Sequence, residues 1–284
     1  MILGFVGVAI FSLSLPATRI AVAHLDPIFV GLGRSLVAAV FALAFLLAIR
    51  APWPNRTQLA RLAATAGGVI FGFPILTSWA MRHVPSAHGA IVVGLLPLVT
   101  ALMGVWLHKE RPSAGFWSAA AAGSMLVVLF AVFQGGGSLH LADLALLGAV
   151  VLGAMGYAQG ALVTRELGGR ETISWALVIS VPVLALPVAL SVERCDFAGA
   201  TPAEWAGFAY VCVMSQYIGF FAWYRGLDLG GVARVSQVQL LQVFLTMAFA
   251  ALLLGERVTL PMIAFAIAVV ATVAIGRRMP VRRA

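Results

Sequence analysis

Residues 235 to 246 read VSQVQLLQVFLT, and Gln237, Gln239 and Gln242 stand in a run that is otherwise almost wholly apolar. An amide both donates and accepts hydrogen bonds, so it can hold an ammonium or a carboxylate without adding fixed charge. It is also expensive to bury unpaired. At about 100° per helical residue, Val235, Gln239, Gln242 and Thr246 share one face and Gln237 points elsewhere. Two roles fit these amides: walls of a polar cavity, or bridges between helices, worth about 0.6 kcal/mol each in a membrane. Tyr157, in MGYAQGALVT, offers an aromatic wall with a polar tip and shares its face with Gly160 and Thr164. Gly156 and Gly160 form a GxxxG pair that suits helix packing. Ser14 and Thr18 share a face, and either line a cavity or bond their own i−4 carbonyls. Trp79 and His88 flank one turn; Trp79 fits an interfacial aromatic belt, and His88 is the histidine best placed on a solute pathway. Arg34 either snorkels to the surface, pairs with Asp26, or binds a substrate carboxylate.

The surroundings of these residues are set by composition. Of 284 residues, 62% are hydrophobic and 10% charged, with a mean hydropathy of +1.03. A soluble protein would carry about a quarter charged residues. The excess runs from end to end, as in a polytopic membrane protein. The net charge of +8 lies between apolar runs and at the C-terminus, which fits membrane topology and not a nucleic-acid partner. Two cysteines, Cys195 and Cys212, support no disulfide framework. The first apolar run lacks a basic n-region and a cleavage site, and reads as a retained helix.

Roughly 20 residues cross the hydrocarbon. Ten stretches meet that length, at 2–22, 27–49, 59–81, 86–107, 113–133, 142–164, 171–191, 203–224, 231–254 and 258–276. Pro16, Pro74 and Pro97 fall inside three of them. Each frees a carbonyl that protein or water must satisfy, so these are candidate kink and gating positions. With the N-terminus inside, thirteen Lys and Arg lie on the inner connections and three, Arg82, Arg194 and Arg257, on the outer. The positive-inside rule then places both termini in the cytoplasm.

The two halves of the chain are faintly alike. LPATRIAV aligns with ALVTREL through Thr18-Arg19 and Thr164-Arg165, WAMRHV with AWYRGL through Arg82 and Arg225, and HKERP with LGERV through Glu110 and Glu256. The offsets are 146, 143 and 146. They divide the chain into repeats at 1–137 and 138–284. Five helices per repeat is an odd number, so the second must enter the membrane upside down. The expected fold is therefore an all-α integral membrane protein of ten transmembrane helices in two inverted five-helix repeats. Such repeats mark transporters that bind substrate near the midplane between the halves.

Arg34 early in the second helix, the turn MRHVPSAHGAIVVGLLPLVTALM, and the pairs KER and GER ending helices four and nine carry a resemblance over nearly the whole chain. It resembles the EamA family of the drug/metabolite transporter superfamily, its amino-acid exporter branch included. The first copy departs in having Lys109 where glycine usually precedes the glutamate. The resemblance implies a central cavity lined by helices one, three, four, six, eight and nine, and movement of small metabolites out of the cell. On this reading the substrate-binding residues are Gln242, Gln239, Tyr157, His88, Trp79, Ser14 and Gln237.

The expected activity is export of small metabolites, most readily amino acids, aromatic or hydrophobic ones among them, through the inner membrane by alternating access. Other drugs or metabolites are the alternative. An enzyme is disfavoured because GxSxG, HExxH and CxxC are missing, and a channel because no repeated filter loop is present. A nucleotide-sugar carrier would need basic groups near the midplane, and the single lysine, Lys109, lies at a cytoplasmic end. All ten acidic residues fall near span ends, so no deep carboxylate drives proton exchange, which favours facilitated efflux. No metal-ligand spacing or cofactor motif appears. The expected partners are the solute and the bilayer, with the chain acting as a monomer.

Overall fold

The computed structural model describes residues 2–108, 111–134, 140–230, 236–279 and 281–282. Lys109, Glu110, Arg234, Val235 and the boundary at 137/138 lie outside the described residues. Among the described residues, six helices are long and apolar enough to cross a membrane, and four shorter apolar helices bring the number to ten. The long ones are α1 (Ile2–Ala21), α2 (Pro27–Ala48), α3 (Arg56–Met81), α6 (Leu141–Leu167), α7 (Gly169–Val192) and α8 (Pro202–Leu229). The shorter ones are α4 (Ser86–Val93 and Leu96–His108), α5 (Ala114–Gln134), α9 (Leu240–Leu254) and α10 (Leu260–Arg278). A two-residue antiparallel ladder, Arg111–Pro112 with Val281–Arg282, joins the loop after α4 to the C-terminal segment.

Local chemistry explains where the helices begin. Asp26 caps α2 by accepting from the Ile28 backbone N–H at 2.8 Å, with Pro27 next in the chain. Asn55 and Gln58 form a capping box at α3, and Thr201 and Glu204 form another at α8. Gly168 and Gly255, at φ of 94° and 63°, end α6 and α9 in conformations that L side chains rarely adopt.

Packing pairs the helices across the two halves. α1 lies on α8, α3 on α6, α2 on α7, α4 on α9 and α5 on α10. Exchanging each helix with the one five places on reproduces the whole pattern, as a two-fold relation between inverted repeats requires. The outer surface is apolar: Val40, Leu47, Leu186 and Leu252 are each more than 60% exposed. That surface belongs in lipid, where all-helical backbone satisfies its own hydrogen bonds.

Two features were not legible as spans. A π-helical turn interrupts α3 at Gly67–Gly72, and another interrupts α8 at Val211–Ile218. They occupy equivalent places in the two repeats and touch, since Gln216 Nε2 donates to the Val69 carbonyl at 3.0 Å. Gly68 and Gly156 permit α3 to lie directly on α6; a Cβ on Gly68 would meet the Gly156 nitrogen at 2.6 Å. The GxxxG pair is thus a packing element.

Candidate functional site

The touching π turns, α2 and the broken helix α1 leave a gap between the halves. It is a narrow cavity with about 30 Å³ of free space. Its polar wall is Ser14, Arg34, Tyr157, Ser215, Gln216 and Gln242, and Phe11, Val69, Phe73 and Phe220 supply most of the apolar wall. A smaller cavity of about 10 Å³ adjoins it through Leu15 and Gln242 and is also lined by Pro97, Gln239 and Thr246. Several walls are symmetry mates at the repeat offset of 146: Phe11 with Tyr157, and Val69 with Ser215.

Proline chemistry shapes these walls. α1 breaks between Ser12 and Ser14. Pro16 has no N–H to give the Ser12 carbonyl, and Thr246 Oγ1 on α9 donates to it instead, at 2.8 Å. Beside the break, the Ser14 and Ser215 hydroxyls share a hydrogen bond of 2.7 Å. Pro74, which lacks an N–H, follows the α3 π turn, and two carbonyls of that turn take side-chain donors: Val69 the Gln216 amide, and Ile70 Ser35 Oγ at 3.3 Å. α4 breaks at Gly94 and Leu95, just before Pro97, which faces the smaller cavity. All three prolines sit at discontinuities beside the cavities.

Aromatic rings close the cavity towards the end that carries the termini. Phe11 meets Phe220 edge-on at 5.1 Å between ring centroids, and Tyr157 meets Trp223 at 5.7 Å. Trp223 and Tyr224 are fully buried beyond them. Towards the other end lies an ion-paired cluster. Glu256 caps α4 by accepting from the Ser86 and Ala87 backbone N–H groups at 2.9 and 2.8 Å, and pairs with Arg19 Nε at 3.2 Å. Arg19 also donates to the Met81 and Val84 carbonyls. Arg19, Met81, Ser86 and Glu256 therefore tie α1, the α3–α4 turn and the α9–α10 connection together.

The residues singled out in the sequence separate into two groups. Ser14, Tyr157 and Gln242 meet in the central cavity, and Gln239 lines the adjoining one. Gln237 belongs to the turn Ser236–Gln239, and its side chain lies outside the described residues. His88 lines neither cavity. Its Nε2 lies 2.6 Å from Asp143 Oδ1 with both side chains buried, and its ring packs on Phe130. Trp79 also lies apart, its ring 4.4 Å from that of His83. Asp143, at a span end in the sequence, is only 1% exposed because α6 begins against α4.

Of the three roles the sequence left open for Arg34, the structure removes two. Arg34 is 3% exposed, which leaves no snorkel to the surface, and Asp26 is engaged in capping α2. The resemblance implied no wall from α2, yet Arg34 makes α2 one. Ser215 and Gln216 were overlooked, although Ser215 sits at the repeat offset from Val69, beside a helix already placed on the cavity.

Comparison with known proteins gives this geometry a family. The EamA-like transporter family matches residues 1–139 and again 140–276. A Bacillus subtilis (strain 168) protein described as an uncharacterized transporter, YdeK, is 46% identical over 275 residues, covering 97% of this chain and 96% of that one. A solved protein structure shares the fold at a TM-score of 0.66 and 17% identity, covering 96% of this chain and 94% of its own. Two inverted helical repeats around a shared cavity, matched one repeat at a time, make this chain a multi-pass membrane transporter, not an enzyme, and it belongs to the EamA-like transporter family.

Proposed function

We propose that the chain exports small metabolites, foremost amino acids with apolar or aromatic side chains, across the inner membrane by alternating access through the central cavity. The observation that carries this reading is the cavity itself. Its free space is only about 30 Å³ in this state, so a solute enters only as the halves move apart. The cavity combines a few polar groups with a phenylalanine-rich wall, which suits a compact amphiphilic solute. Its position between the repeats supports alternating access, because rocking one half against the other would expose it to each side in turn. The basic residues crowded at the end with the termini support a cytoplasmic location for both termini.

Among the described residues no carboxylate lines the cavity, which supports facilitated transport over proton exchange. Counterflow in proteoliposomes tests the reading. Vesicles loaded with unlabelled phenylalanine or leucine should accumulate the labelled amino acid at equal pH on both sides. Failure across a panel of twenty amino acids, with other metabolites accumulating, would remove the amino-acid assignment.

A further inference from the structure

Arg34 is a buried cation without a counterion. It is 3% exposed, and its Nε has no hydrogen-bond partner. Among the described residues no carboxylate lies within 4 Å of its guanidinium. The titratable groups close enough to sense its charge are Tyr157 and Cys212, both neutral acids at physiological pH. Desolvating an unpaired ion costs several kcal/mol, so a fold that retains one needs an anion from elsewhere.

Nothing in the repeat architecture calls for arginine at this place. At the offset of 146 its counterpart is Ser180, whose hydroxyl is spent on its own Ala176 carbonyl at 2.7 Å. The charge is thus a feature of one half only, and it is aimed into the shared cavity. The other five polar wall groups are neutral, and three are committed: Ser14 and Ser215 to each other, and Gln216 to Val69. Among the described residues, Tyr157 and Gln242 keep their polar ends free of hydrogen bonds. The cavity therefore presents one guanidinium, one phenol and one amide to a solute, with phenylalanines around them.

From this we infer that Arg34 is the anchor for a substrate carboxylate, and that the site selects organic monoanions with an apolar or aromatic body. A guanidinium takes a carboxylate through two parallel N–H donors. A monocarboxylate neutralises the cavity. A zwitterion of the same shape brings an ammonium that only neutral acceptors can meet. An amine with no carboxylate adds a second positive charge. The inference rests on the cavity being the substrate site, but not on the substrate being an amino acid.

Three probes of one shape separate these cases: 3-phenylpropionate, phenylalanine and phenethylamine. The purified protein's melting temperature is measured against each at constant ionic strength. The expected order is 3-phenylpropionate first, half-maximal at a concentration at least tenfold below that of phenylalanine, with no stabilisation by phenethylamine. Arg34→Gln should abolish the preference while leaving the ligand-free melting temperature equal or higher, because it removes an unpaired charge. Arg34→Lys should keep the order at weaker affinity. Stabilisation by phenethylamine as strong as by 3-phenylpropionate, an unchanged order in Arg34→Gln, or no stabilisation by any of the three would overturn the inference. Counterflow keeps the two readings apart. Phenylalanine accumulation that is indifferent to Arg34→Gln sinks the anchor and leaves amino-acid export standing. Arg34-dependent stabilisation by 3-phenylpropionate, with no amino acid accumulated, does the reverse.

Discussion

Gln239 is 2% exposed, and neither its amide oxygen nor its nitrogen has a partner. A group in that state destabilises the empty protein by about 1–3 kcal/mol. Gln239→Leu should therefore raise the ligand-free melting temperature and slow counterflow, a trade expected where a wall is kept polar for a solute. A lower melting temperature with normal counterflow would make Gln239 a structural bridge. The residue types of the site were legible because polar groups in an apolar run stand out. Their partners were not. His88 looked like a pathway residue because Asp143, 55 positions away, is brought to it only by packing of α6 on α4. Arg34 looked able to snorkel because a seven-residue distance from a helix start says nothing about the neighbouring helices that seal it in.

At the scale of elements, the breaks at Pro16 and Pro74 each have named side chains that meet carbonyls at the break. The link between Pro16 and Thr246 makes this testable. Thr246→Val keeps the shape but leaves the buried Ser12 carbonyl unpaired, and should cost about 1–3 kcal/mol. Pro16→Ala restores a backbone donor for that carbonyl, so the same Thr246→Val change should cost much less in a Pro16→Ala background. Unfolding midpoints of the four proteins in the cycle measure the coupling, and strictly additive effects would show that Thr246 does not repair the break. Most span positions were legible to within a few residues because hydropathy and caps declare them; the exception is α9, expected from 231, which begins at Leu240 after a 3-10 turn at Ser236–Gln239. The π turns were not legible, since their extra residue changes neither composition nor hydropathy. The prolines announced discontinuities without saying which carbonyls would be freed or what would meet them.

Over the whole molecule, the inverted repeat was visible in three short alignments and reappears as the pairing of α1 with α8, α3 with α6 and α2 with α7. What the sequence hid was the asymmetry, one arginine against one serine, because a repeat alignment shows likeness and not which unlike position faces the shared gap. Orientation follows from charge and is testable at Cys195, which lies between α7 and α8 at the end opposite the termini. An impermeant maleimide should label Cys195 in intact cells carrying Cys212→Ala. Burial pushes the Cys195 thiol above its ordinary value. The thiolate is the reactive form, so labelling should keep quickening with pH beyond the usual thiol range near 8.5. Labelling only after lysis would invert the topology. The claim that a solute crosses through the cavity between the halves is tested most directly by a cysteine at position 242. Gln242→Cys in a background without Cys195 and Cys212 is treated with a small impermeant thiosulfonate, in right-side-out and in inside-out vesicles. Alternating access through this cavity predicts reaction from both sides, slowed from both by a transported solute. Reaction from neither side, in a protein that still transports, would mean that the pathway lies elsewhere.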